Sequence, residues 1–149
     1  MPVPIPPHPD PVAEPLWLDP QEGTCLVMGS AWPMLKDMER ALRIRPGAKI
    51  MAVNRAAQFV GADFLFTLDC WNAAYWRKLQ EQAFGPGFTY HAARWAGNKT
   101  KDDFPWVDHW WPAAQGSATS SWGATKVAFM MGFHEVILCG VPLEPAPYA

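Results

Sequence analysis

The chain has 149 residues, the usual size of one domain and too short for two full cores. Half of it is hydrophobic and 17% is charged, enough apolar material for one packed core and too much for a globally disordered chain. The formal net charge of −2, with lysines and arginines scattered along the chain, excludes an electrostatic hold on a nucleic-acid backbone.

Residues 1 to 23 carry Pro2, Pro4, Pro6, Pro7, Pro9, Pro11, Pro15 and Pro20. Such a run cannot donate regular ladder hydrogen bonds and favours polyproline II, so it reads as an arm preceding a domain over residues 24–149. The arm is expected to be either flexible or laid across a partner or the domain's own surface, with Leu16-Trp17-Leu18 as a candidate anchor in a groove. No basic stretch followed by an apolar one opens the chain, so the reading is a cytoplasmic protein without a signal peptide. The apolar runs are too short to cross a bilayer, which needs about 20 residues.

From Thr24 the pattern becomes regular. Residues 24–28 form an apolar run ended by Gly29-Ser30, as expected of a buried strand. Met34, Leu35, Met38, Ala41 and Leu42 then recur at helical spacing, with Pro33 suited to a first turn and Pro46-Gly47 as the stop. Residues 49–53 predict a second strand ending in Asn54, and residues 63–68 a third ending in Asp69. A helix is predicted over 72–83. Short strands are expected near 88–91 and 106–111, around an exposed loop at 97–103.

Gly116-Ser117-Ala118-Thr119-Ser120-Ser121 opens a helix predicted over 117–132, with Val127, Ala128, Met130 and Met131 as its apolar face. Residues 135–140 predict the last strand. The alternation implies an α/β, Rossmann-like, doubly wound, mostly parallel sheet of about five strands with flanking helices. Three cysteines (Cys25, Cys70 and Cys139) lie in or beside apolar runs, far apart. They read as buried thiols rather than disulfide or metal partners. No metal or other cofactor is expected. The nine tryptophans read first as packing material, and second as stacking surfaces.

In such sheets ligands bind beyond the carboxyl ends of the strands. That rule collects Gly29, Ser30, Asn54 and Gly140 as candidate ligand contacts, with Gly116, Ser117, Ser120 and Ser121 at the predicted helix start, a natural anion site. Taken singly, each also suits a turn or a helix cap. Asp69 or His91 is the candidate catalytic base, with His109 also within the unread middle and His134 at the far end of the sheet. No nucleophile elbow or Walker loop is present.

Residues 27–35, Ala52-Val53-Asn54, Ala62-Asp63 to Asp69, and residues 116–142 with their Val136-Ile137-Leu138-Cys139-Gly140-Val141-Pro142 end resemble the sialyltransferase-like superfamily. This is glycosyltransferase family 42, with its DUF115-type relatives, and the resemblance is strongest to small phage-encoded members. It implies a Rossmann-like domain binding a nucleotide (CMP-sialic acid in the sialyltransferases) through Gly29, Ser30, Asn54 and residues 117–121, without a metal. For a phage-encoded chain the compartment would be the host cytoplasm.

Three positions depart from the family pattern. Ala31 stands for its second glycine, Trp32-Pro33 for a Pro-Ser pair, and Pro142 for an acid. A Cβ at 31 and an indole beside it are expected to crowd a phosphate.

Three functions follow as expectations. The first is a nucleotide-sugar-binding, glycosyltransferase-like protein. The alternatives are a non-catalytic nucleotide binder, and a phage structural or assembly protein whose proline-rich arm makes homo-oligomer contacts. The expected partners are a nucleotide or nucleotide-sugar, with no nucleic acid and no membrane.

Overall fold

The computed structural model describes residues 20–95 and 97–142. The expected docking of residues 1–19, including the Leu16-Trp17-Leu18 anchor, lies outside the described residues. Residues 20–23, read with the arm, are tied to the domain: the Gln21 N–H donates to the Met131 carbonyl at 2.7 Å, and the Gly23 carbonyl accepts from His134 at 2.9 Å.

Six strands form one sheet: β1 (Thr24–Met28), β2 (Lys49–Val53), β3 (Phe64–Thr67), β4 (Thr89–Ala92), β5 (His109–Trp110) and β6 (Glu135–Cys139). Their order is β5-β4-β3-β2-β1-β6, and every pairing is parallel. The sheet has one strand more than the approximate count expected, because both doubtful middle segments are strands. β5 is only two residues long, a short edge strand that offers little to a foreign pairing partner.

Three helices cover the sheet: α1 (Met34–Ile44), α2 (Ala73–Phe84) and α3 (Ser120–Met130). Right-handed crossovers from β1 stepwise to β5 keep α1 and α2 on one face, and the long return to β6 carries α3 to the other. The core divides accordingly. Leu26, Met28, Ala52, Leu65 and Tyr90 pack against Met34, Ala41 and Ala73 on the first face. Cys25, Val27, Met51, Val53 and Phe66 pack against Ala124, Val127 and Ala128 on the second. Alternate strand residues thus enter opposite cores, which is why the strands read as unbroken apolar runs.

Two polar links set the connections on the first face. Gln80 of α2, fully buried, donates to the carbonyls of Ala57 (2.7 Å) and Val60 (2.8 Å) and accepts from the Ala62 N–H at 2.9 Å. It satisfies the backbone of the 54–62 segment, whose five-residue 3-10 turn (Asn54–Gln58) the sequence reading did not anticipate. Arg77 spans Asp108 at 2.9 Å, the Trp106 carbonyl and Glu81, tying α2 to the approach to β5.

Candidate functional site

All six strands point the same way, and the chain leaves β1 toward β2 on one side while β6 lies on the other. This switch point holds a cleft of about 480 Å³. Gly29 and Ser30 follow β1, Val53 and Asn54 end β2, and Leu138, Gly140, Val141 and Pro142 end β6. Thr119, Ser120, Ser121, Trp122 and Thr125 close it from the start of α3. None of these lining residues is ionisable at neutral pH.

The β1–β6 wall is built by close backbone approach. The Gly29 N–H donates to the Cys139 carbonyl at 2.8 Å and the Ala31 N–H to the Gly140 carbonyl at 3.0 Å. A Cβ on Gly29 would stand 2.5 Å from the Gly140 oxygen and 2.8 Å from Val141 Cγ2. Gly140 has φ +64°, and a Cβ there would collide with the Met34 side chain. Both glycines are therefore required by packing, whatever ligand the cleft takes. Asn54 holds φ +50°, a left-handed conformation that asparagine tolerates better than most residues.

The two helix starts near this end of the sheet differ. In the first turn of α1 the N–H groups of Met34, Lys36 and Asp37 already donate to the carbonyls of Ala31 and Pro33, and the Asp37 carboxylate accepts the Gly140 N–H at 2.9 Å. That start has few donors to offer, and a carboxylate already takes the Gly140 amide beside it. α3 is the opposite case. Thr119 is its N-cap, its hydroxyl accepting from the Trp122 N–H at 3.2 Å, and no acidic residue stands in the first turn. The amides of Ser120 and Ser121 have no acceptor within the helix, and the positive end of the helix dipole faces the cleft.

Of the sequence-derived ligand contacts, the fold brings together Gly29, Ser30, Asn54, Ser120, Ser121 and Gly140. Gly116 and Ser117 do not line the cleft. The helix starts three residues later than expected, and the Ser117 hydroxyl donates to the Ala114 carbonyl at 2.7 Å, closing a turn instead of capping α3. Trp32 also departs from expectation. Its indole is 71% exposed and lines a separate groove with Pro33 and Leu35, so it does not crowd the cleft. Thr119, within the expected helix entry of residues 117–121, does line the cleft, whereas the indole at the rim is Trp122, which sequence reasoning missed along with Thr125. The i, i+4 spacing of Ser121 and Thr125 was the available signal.

Neither candidate base lines the cleft. Asp69 caps the turn after β3, its carboxylate accepting from the Trp71 N–H at 3.1 Å and from Asn72 Nδ2 at 2.7 Å. His91 is buried in β4 between Thr89 and Trp111. The Trp111 indole N–H donates to His91 Nδ1 at 2.9 Å, so the proton resides on Nε2, which donates to Thr89 Oγ1 at 2.7 Å. Burial, with His109 stacked at 4.9 Å as a lesser cause, pushes its pKa down to about 3. With both nitrogens engaged it has no free lone pair for a substrate proton. His109 is half-buried and its pKa is also lowered, chiefly by burial. His134 is exposed at the far end of the sheet, as expected.

The three cysteines are buried and form no disulfide, and burial raises the Cys25 and Cys139 thiols to about 12. No cluster of metal-ligating side chains occurs among the described residues. No helix of the described residues is long and apolar enough to cross a membrane. Compared with protein-family models, curated proteins and solved structures, the chain matches none of them.

Proposed function

We propose that this chain binds a nucleotide-type anion, a nucleotide or nucleotide-sugar, in the cleft beyond β1, β2 and β6. One observation carries the reading: the uncapped amides of Ser120 and Ser121, at the positive end of α3, meet the strand ends in a cleft without an ionised side chain. A phosphate would accept from those amides and from the serine hydroxyls. The apolar wall of Val53, Leu138 and Pro142, with the Trp122 indole at the rim, would take the flat face of a base or sugar ring. Asp37 behind Gly140 disfavours an anion on the β1 side, which directs the phosphate to α3.

Binding is favoured over glycosyl transfer, because no general base stands among the described lining residues and both candidate bases are engaged elsewhere. The glycosyltransferase-like reading therefore rests on the family resemblance, and nucleotide binding on the cleft.

The test is thermal unfolding of the full chain with CMP, UMP and AMP against the matching nucleosides. A ligand at about 100 times its dissociation constant stabilises by about 2.7 kcal/mol, enough to raise Tm by several degrees. Nucleotides are expected to raise Tm and nucleosides to leave it unchanged. Ser121→Asp places a fixed carboxylate at the same helix end; it should keep or raise the unliganded Tm and abolish the nucleotide shift. No shift with any nucleotide, or an undiminished shift in Ser121→Asp, would overturn the proposal. Turnover of a nucleotide-sugar by the purified chain would restore the transferase reading.

A further inference from the structure

A second depression, of about 280 Å³, lies outside the ligand cleft between the first turn of α1 and the end of the 3-10 turn after β2. Trp32, Pro33, Met34, Leu35, Lys36 and Phe59 line it. Trp32 is 71% and Leu35 51% exposed, an unusual outlay of apolar surface beside a groove. Its cations are Lys36 and Arg55, whose guanidinium stands 5.7 Å from the centre of the Phe59 ring. The groove is thus aromatic, apolar and edged with positive charge.

That chemistry fits a polyproline II segment, which docks between aromatic rings as a preformed helix of low entropy cost. The chain contains such a segment. Residues 2–9 read Pro-Val-Pro-Ile-Pro-Pro-His-Pro, with prolines at PxxP spacing in Pro4–Pro7 and Pro6–Pro9. Residues 1–19 hold Asp10, Glu14 and Asp19 and no lysine or arginine, complementary to Lys36 and Arg55.

Chain length selects which part of the arm can arrive. Gln21 is fixed near the C-terminal end of α3, at the start of β1, whereas the groove lies past the end of β1. The five residues of β1 separate the two by about 17 Å. Leu16-Trp17-Leu18, within four residues of Pro20, reaches at most about 12 Å as polyproline II. Pro9, eleven residues before Pro20, reaches about 34 Å.

We propose that the Trp32–Phe59 groove is the docking site of residues 2–9 of the same chain, with Asp10 against Lys36 and Arg55. The docked segment would cover the first turn of α1, whose Met34 packs against Gly140 beside the Ala31 carbonyl, so the arm and the cleft share one support.

The test uses the full chain carrying a nitroxide on a single introduced cysteine, His8→Cys in one protein and Val3→Cys in another. The native thiols are buried, and labelling of the wild-type chain under the same conditions provides the blank. With the isotope-labelled chain at low concentration, the amide signals of Leu35, Lys36 and Phe59 are expected to be lost near the nitroxide, and those of α3 retained. Trp32→Ser, at an exposed position, should restore the signals while the sheet amides stay in place.

Retention of the groove signals with both labels would overturn the proposal and leave the groove to another partner. So would loss seen only when spin-labelled chain is mixed with isotope-labelled chain, since that assigns the segment to a second copy. Loss that survives Trp32→Ser would overturn it as well.

Discussion

The Asp37 carboxylate accepts the backbone N–H of Gly140 at 2.9 Å, joining the first turn of α1 to the end of β6. The bond satisfies a buried donor at a point of the β1–β6 wall that cannot accept a side chain. Asp37→Ala leaves that N–H unpaired and should cost about 1–3 kcal/mol. Denaturant unfolding checks it, with a lowered midpoint and an unchanged m-value as the expected result.

Gln80 makes three hydrogen bonds to backbone groups from within the core. Gln80→Leu preserves much of the volume but strands those partners, and about 2–3 kcal/mol of destabilisation is expected. Gln80→Glu should be worse at neutral pH and recover on acidification, because a buried unpaired carboxylate must be protonated to fold. A stability profile of the glutamate variant that is flat with pH would show that the side chain is not held in the core.

His91 is expected to make the wild-type chain lose stability in acid. Its folded pKa of about 3 lies below the ordinary histidine value, so between the two the unfolded chain binds the extra proton. Stability should be fully present above about pH 6.5 and fall as the pH drops toward 3. The exposed pair of Glu135 with Arg45, which lowers the carboxyl pKa, acts in the same direction at the acid end. Midpoints measured from pH 4 to 8, with His91→Gln as the comparison, test this. The variant should be less stable at neutral pH and less dependent on pH.

Thr119 is the side-chain cap of α3 and stands at the cleft. Thr119→Ala should cost about 1 kcal/mol, while Thr119→Ser and Thr119→Asp retain the cap. The aspartate variant separates helix stability from ligand binding. It should unfold at or above the wild-type temperature yet weaken any nucleotide-induced rise in Tm, as expected of a negative charge at an anion site.

Cys25 and Cys139, buried and pushed up to about 12, should resist thiol reagents in the folded chain. Their labelling rate under native conditions is expected to follow opening of the fold, and to match that of exposed thiols only in denaturant. Immediate native labelling of either would show that the β1–β6 region is looser than its packing implies.

The sequence by itself determined the α/β class, the strands β1, β2, β3 and β6, the three helices and most of the cleft. Those features depend on local and near-local rules: apolar runs bounded by glycine or proline, helical periodicity, and ligand placement at the ends of parallel strands. Gly29, Ser30, Asn54, Ser120, Ser121 and Gly140 were legible because each sits where a strand ends or a helix begins. The strands at 89–92 and 109–110 were weak signals, since the second has only two residues and the first carries threonine and histidine in place of an unbroken apolar run.

Tertiary structure alone decided which polar residues face the cleft. Ser117 and Thr119 are equally good caps by composition, and the turn closed by Ala114 chose Thr119. Asp69 and His91 are plausible bases by residue type, but one is consumed by its own turn and the other by Trp111 and Thr89. Trp32 and Trp122 are indistinguishable as letters. The path of the chain out of β1 sends the first indole into a separate groove, and the start of α3 sets the second on the rim of the cleft, because the direction of a side chain is fixed by the packing of the backbone that carries it.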